Sequence, residues 1–174
     1  MKNLKFYLLT IVLGTIATLV MDIGNFVFFK LGFINQIDEI IIARLIIGWS
    51  KFQFIFENPS LLPNVENAQF KGTIFHYGIG IIFAYCFILI LKLVKHEHNT
   101  MIIASIYGVL TSAISLCLLF PSLGLGFLGL KAGNQLLISS LINHFIYGIG
   151  LGIGFFMLKN KFLELDGENN NESK

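Results

Sequence analysis

Long apolar runs separated by short polar stretches dominate this chain. Four of them are long enough to matter most: Phe6–Phe29, Thr73–Leu91, Met101–Phe120 and Leu136–Leu158. A helix needs about 20 consecutive, mainly apolar residues to cross the ~30 Å hydrocarbon core of a bilayer. Within hydrocarbon, every backbone polar group must find its partner inside its own segment, so each run predicts a helix. The pattern therefore predicts an all-α integral membrane four-helix bundle over residues 1–162. A polar tail, LELDGENNNESK (163–174), is expected to be disordered because it has too little apolar surface to bury.

The stretch between the first two spans breaks the pattern. Asn35, followed by Asp38 and Glu39, resembles a helix start with a cap and acidic residues in its first turn. The apolar run IIIARLIIGW, Ile40–Trp49, comes next. It already contains Arg44 and is too short to span alone, and widening it to 37–56 adds Lys51. An Arg at the centre of a span costs roughly 2.5–3.5 kcal/mol on insertion scales. The expectation is an additional helix over about 36–50, lying at the membrane interface with Trp49 at headgroup level; a fifth span is the alternative. NPSLLPN, Asn58–Asn64, then reads as a turn-rich connection.

Composition agrees with the pattern. Only 13% of the 174 residues are charged, against 55% hydrophobic, whereas soluble domains carry about a quarter charged. A net charge of +2 gives no reason to expect a nucleic-acid partner. Lys2 and Lys5 precede the first run as in a signal peptide, but no small-x-small cleavage site follows, so this run is expected to remain as a span. Cys86 and Cys117 lie within spans and read as small packing residues rather than a disulfide. With four spans, seven Lys residues (2, 5, 92, 95, 159, 161 and 174) fall on the side of both termini, mostly at span ends. Five basic residues fall opposite. That bias predicts a multi-pass membrane protein with both termini cytoplasmic.

Against this apolar background the polar residues inside the spans stand out. Residues four apart share a helix face. The first span carries Gly14, Thr18 and Asp22, with Asn25 beside them; the second carries His76, Gly80 and Ala84. The third carries Ala104, Gly108 and Ser112, and the fourth Ser140, His144, Gly148 and Gly152. Small-xxx-small faces let membrane helices approach closely, so Gly14, Gly80, Gly108, Gly148 and Gly152 are candidate packing positions. In three spans the same face bears an ionisable residue, so Asp22, His76 and His144 should point inward. Asp22 and His144 lie at similar depth, roughly 10–12 Å in at 1.5 Å per residue, and His76 lies shallower. An Asp22–His144 hydrogen bond or ion pair is therefore geometrically reasonable, with His76 or Asn143 nearby and Asn25 beside Asp22.

Such a cluster has two readings. Burial and pairing act in opposite senses on Asp and His, so a pair can exchange a proton near neutral pH, and intramembrane ionisable groups often mark ion or proton paths. Equally, buried polar pairs hold membrane helices together, each contributing roughly 0.6–2 kcal/mol. Proton-coupled movement of a small solute or ion and a non-catalytic scaffold or assembly role both stay open. A cavity reaching Asp22 would favour the first, and a dry, fully paired cluster the second. Two His and one carboxylate could ligate a metal, but no HxxxH or CxxC spacing supports that, so no metal or cofactor is expected.

Other motifs are weaker than they look. GLGFLG, Gly124–Gly129, matches a dinucleotide-binding glycine pattern but follows a span instead of a strand, so a flexible turn is expected. YGIGLGIGF, Tyr147–Phe155, reads as a tightly packing helix face, and His96 and His98 as loop residues. Three Tyr-Gly pairs, at Tyr77, Tyr107 and Tyr147, are unequally spaced and establish no repeat. No catalytic triad, Walker lysine or HExxH is present, and no enzyme is expected.

The segments GTIATLVMD (Gly14–Asp22), ARLIIGW (Ala43–Trp49), HYGIGIIFA (His76–Ala84), PSLGLG (Pro121–Gly126) and NHFIYGIGLG (Asn143–Gly152) resemble, in order, domain-of-unknown-function family 2938. The likeness covers nearly the whole chain apart from the polar tail. Ala43 stands where the family often has Gly, and Ile142-Asn143 precedes the last His. The resemblance implies a bacterial multi-pass membrane protein and directs attention to Asp22, Arg44, His76 and His144, without implying an activity. Expected partners are the lipid bilayer and either a second copy or another membrane protein.

Overall fold

The computed structural model describes residues 2–35, 38–94 and 99–172. Five main helices follow one another: α1 (Lys2–Lys30), α2 (Glu39–Ser50), α3 (Ala68–Val94), α4 (Thr100–Ser122) and α5 (Asn134–Glu172). Short 3-10 turns occupy Pro59–Leu61 and Phe127–Ala132, and there is no strand among the described residues. The fold is an all-α bundle in which α1, α3, α4 and α5 each hold a stretch long and apolar enough to cross a membrane. Their outer faces suit hydrocarbon, with Leu8, Ile82, Ile106, Leu110 and Phe156 all exposed.

α2 has 12 residues. At 1.5 Å per residue it is about 18 Å long, shorter than a ~30 Å core, and among the described residues it is not one of the four helices long and apolar enough to cross a membrane. Its cap differs from the expectation. The Asp38 side chain accepts the Ile40 N–H at 2.9 Å, whereas the Asn35 N–H is donated to Ser139 Oγ at 2.8 Å. A carboxylate also complements the positive end of the helix. Gln36 and Ile37, where the helix was expected to begin, lie outside the described residues, as do His96 and His98. Arg44 is half-buried and donates to the carbonyls of Leu62 and Pro63 and to Asn64 Oδ1, so it ties α2 to the proline-rich connection. Trp49 donates to Phe54 O at 3.3 Å.

α5 packs along both α1 and α4, α1 along α3, and α3 along α2, while α3 and α4 meet only sparsely. Glycines permit the close crossings. A Cβ on Gly108 would fall 2.6 Å from Gly148 Cα and meet the His144 carbonyl, and one on Gly14 would fall 2.6 Å from Ile81 Cα. Gly80 faces Thr18, and Gly152 faces Met101. Tyrosine hydroxyls add polar ties between helices: Tyr147 donates to Gly80 O at 2.6 Å, and Tyr107 to Phe83 O at 2.8 Å.

Several local expectations change. The GLGFLG segment is a packed cap over one end of the bundle, not a flexible turn. Gly124, at φ +77°, sits against the Glu57 backbone where no Cβ would fit, and Phe56 N–H bonds to Ser122 O at 2.8 Å. Cys86 and Cys117 are exposed, so neither serves as a buried packing residue. α5 runs on to Glu172 and takes in most of the stretch expected to be disordered. No proline interrupts that stretch, and it opens with the good helix formers Leu163, Glu164 and Leu165.

Candidate functional site

The polar residues of the spans gather toward one end of the bundle, beneath α2 and the two connecting segments. Asp22 comes from α1, His76 and Tyr77 from α3, Thr111 and Ser115 from α4, and Ser140, Asn143 and His144 from α5. Each lies on the helix face that also carries the small residues of the crossings, because turns four residues apart bring them into register.

Asp22 pairs with α3. His76 Nε2 lies 2.9 Å from Asp22 Oδ1, and the Tyr77 hydroxyl donates to Asp22 Oδ2 at 2.9 Å. A carboxylate only accepts, so the His76 Nε2 carries the shared proton. The Asp22–His144 pair is not formed. α3 starts at Ala68, a full turn before the apolar run at Thr73, and His76 consequently sits deep enough to face Asp22. The helix extends into polar sequence because Gly72 lets the Glu39 backbone press against it, and the Thr73 hydroxyl and Gln69 amide both donate to the Glu39 carboxylate.

His144 instead joins α4. Its Nδ1 lies 2.9 Å from Thr111 Oγ1 and its Nε2 lies 3.1 Å from Ser115 Oγ. Thr111 already donates its proton to Gly108 O at 2.6 Å, so it accepts from Nδ1–H, and Ser115 donates to Nε2. This network holds a neutral imidazole with both nitrogens satisfied. Ser115 opens a π-helical turn, Ser115–Leu119, just before Pro121. π-turns are rare and concentrate at functional sites. Here Phe120 N–H reaches back to Ser115 O, which widens α4 where the serine faces α5.

Between the two histidines lies a cavity of about 160 Å³, edged by Asp22, Asn25, Asn35, Ser140, Asn143 and the imidazoles of His76 and His144. A cavity of about 150 Å³ is enough to hold benzene. Two residues of its wall, Ser140 and Asn143, each carry a polar atom, Oγ and Oδ1, that is buried without a hydrogen-bond partner. Such groups are uncommon, and leaving one unsatisfied costs about 1–3 kcal/mol. An outer chamber of about 530 Å³ leads to Asp22 past Asp38, Glu39 and Gln69, and the Asp22 side chain is 34% exposed. A third, mostly apolar chamber of about 320 Å³ shares Ser115 and both histidines with the first, and extends past Trp49 to Ile82 and Leu118.

Of the residues singled out in the sequence, Asp22, Asn25, His76, Asn143 and His144 all border the polar cavity, whereas Arg44 does not. Trp49 borders the apolar chamber. Tyr77, Thr111, Ser115 and Ser139 were missed. The Tyr-Gly pair pointed to Tyr77 without suggesting a partner, and Thr111 and Ser115 are four apart, a spacing that could have marked a polar face. Among the described residues, no three His, Cys, Asp or Glu side chains converge as a metal site would require.

No curated protein and no solved structure matches the chain. Residues 11–157, most of its length and every residue of the cavity, match one known family. The chain belongs to the family described as Protein of unknown function (DUF2938).

Proposed function

We propose that this is a bacterial inner-membrane protein that binds a small polar solute or ion between its spans and moves it in exchange with a proton, with Asp22 and His76 as the proton-linked pair. One observation carries the reading: a cavity reaches Asp22, and two residues of its wall, Ser140 and Asn143, each carry a buried polar atom with nothing to bond to. A bundle whose polar residues only tied helices together would have no reason to leave them unpartnered, since each lost bond works against stability. The Asp22–His76 pair opens to the outer chamber, so protons and solute can reach it from one side. The Thr111–His144–Ser115 network holds the opposite wall in one orientation. By the lysine bias, the outer chamber faces away from the cytoplasm. At 19.5 kDa, the protein is expected to work as a homodimer.

The scaffold reading makes the opposite demand, so one experiment separates them. Purified protein is placed in liposomes loaded with a pH-sensitive dye, and imposed gradients of sodium, potassium or choline supply a cation to exchange for protons. Wild type should conduct protons above empty liposomes, and Asp22→Asn and His76→Gln should lower that flux about tenfold, the size of a ~1.4 kcal/mol change. Both variants should melt within a few degrees of wild type. Flux no greater than in empty liposomes would overturn the reading, and a large drop in melting temperature in both variants would then support the scaffold.

A further inference from the structure

The shape and charge around the site say more about what it takes. The outer chamber and polar cavity present Asp22, Asp38 and Glu39, and among the described residues no Lys or Arg lines either of them. The nearest basic side chain on α2, Arg44, is turned away and held by the connection at Leu62–Asn64. The remaining walls combine apolar side chains such as Met21, Leu45 and Phe120 with uncharged polar ones, Asn25, Asn35, Ser139 and Gln69. Ser140 is 7% exposed and its Oγ has no partner, and Asn143 Oδ1, a pure acceptor, is also unpartnered. A positively charged group would be answered by the Asp22 carboxylate, which is 34% exposed, with the hydroxyl- and amide-bearing residues Ser140 and Asn143 in the same wall.

The apolar chamber adds a second requirement. It joins the polar cavity at His76, Ser115 and His144, and at about 320 Å³ it falls within the ~300–1,000 Å³ range of small-molecule sites. Its far wall is formed by Ile82 of α3 and Ile114 and Leu118 of α4, the two helices that meet only sparsely. Ile82 is 61% exposed and Leu118 is 51% exposed on the lipid-facing surface, so this chamber borders the gap through which hydrocarbon would enter. A polar solute alone leaves this chamber unfilled, and a neutral lipid leaves the carboxylates of Asp22, Asp38 and Glu39 unanswered.

We infer that the ligand is an amphiphilic primary amine, its ammonium among Asp22, Ser140 and Asn143 and its hydrocarbon tail in the apolar chamber, entering sideways from the bilayer between α3 and α4. This rests on the proton-exchange reading and gives it a chemistry: a proton and an ammonium compete for one carboxylate, so loading either one favours release of the other.

The chain provides its own reporter, because Trp49, its single tryptophan, lines the apolar chamber. The probe is decylamine bearing a nitroxide at the end of its tail, titrated into protein in lipid nanodiscs while Trp49 fluorescence is followed. Quenching should saturate. Unlabelled decylamine should displace the probe, whereas decanol, which lacks the charge, and propylamine, which lacks the tail, should not. Asp22→Asn should weaken binding about tenfold and Ser140→Ala by a smaller factor, with the melting temperature of Ser140→Ala unchanged. The inference is overturned if decanol displaces the probe as well as decylamine does, if propylamine does so equally, or if quenching is unsaturable and identical in Ser140→Ala and wild type. The proton-flux assay reads the underlying proposal separately. Flux that depends on Asp22 without amine binding removes the ligand class alone, and absence of both removes the two together.

Discussion

The two ends of this bundle are built from the same four long helices and share almost no chemistry. At one end, Phe6 of α1, Phe87 of α3, Tyr107 of α4 and Phe155 and Phe162 of α5 form a continuous aromatic cluster. Phe87 stands 5.4 Å from Tyr107 and 6.4 Å from Phe155, and Phe155 stacks on Phe162 at 5.8 Å between ring centroids. Leu13, Phe87 and Leu151 are fully buried there. At the other end the helices enclose chambers, and buried polar atoms go unbonded. Lipid tails are as apolar as leucine, so hydrophobic burial contributes little to holding such helices together, and close packing must do so. The aromatic end and the glycine crossings supply that packing. The polar end can then remain open, as the proposed binding site requires, without costing the bundle its assembly.

That division can be broken first where the helices cross. Gly108→Val places side-chain atoms where Gly148 Cα and the His144 carbonyl lie, and neither is a flexible side chain that could yield. Forced overpacking costs about 1–3 kcal/mol in adaptable cores, and this site is not adaptable, so the loss should exceed ~3 kcal/mol and be visible as failure to give a monodisperse folded species in detergent. The second test lies in the aromatic cluster. Phe87→Ala leaves a cavity among tightly packed rings, and thermal unfolding should report a loss of about 3 kcal/mol. The smallest effect belongs to the polar end. Ser140→Ala removes an atom that has no partner, so stability should stay within about 0.5 kcal/mol of wild type or rise slightly. A loss of stability as large as that of Phe87→Ala would mean that the polar end also holds the bundle together, and the contrast would fail.

Much of this was legible in the residues. The four spans, the shortness of the Ile40–Trp49 helix and the inward faces bearing Asp22, His76 and His144 all followed from periodicity and from the length a bilayer requires. The partner of Asp22 did not. Depth counted from apolar boundaries placed His76 too shallow, because α3 begins in polar sequence and is continued by contact with α2. The π-turn at Ser115 was equally hidden, since its widening reflects Pro121 and packing beyond any local pattern. The glycine cap at Gly124–Gly129 looked loose because glycine signals freedom of φ, and only the approach of the Glu57 backbone turns that freedom into close packing.

By itself, then, the sequence determined which segments are helices, which faces turn inward and which side chains are too polar to meet lipid. These are local matters, set by backbone hydrogen bonding in hydrocarbon and by the spacing of side chains on one helix. Only the tertiary structure decided that Asp22 meets His76 instead of His144, that α3 and α4 stay apart, and that polar and apolar chambers join at the two histidines. A helix face specifies a direction but not a neighbour, and the neighbour depends on the order in which distant helices pack.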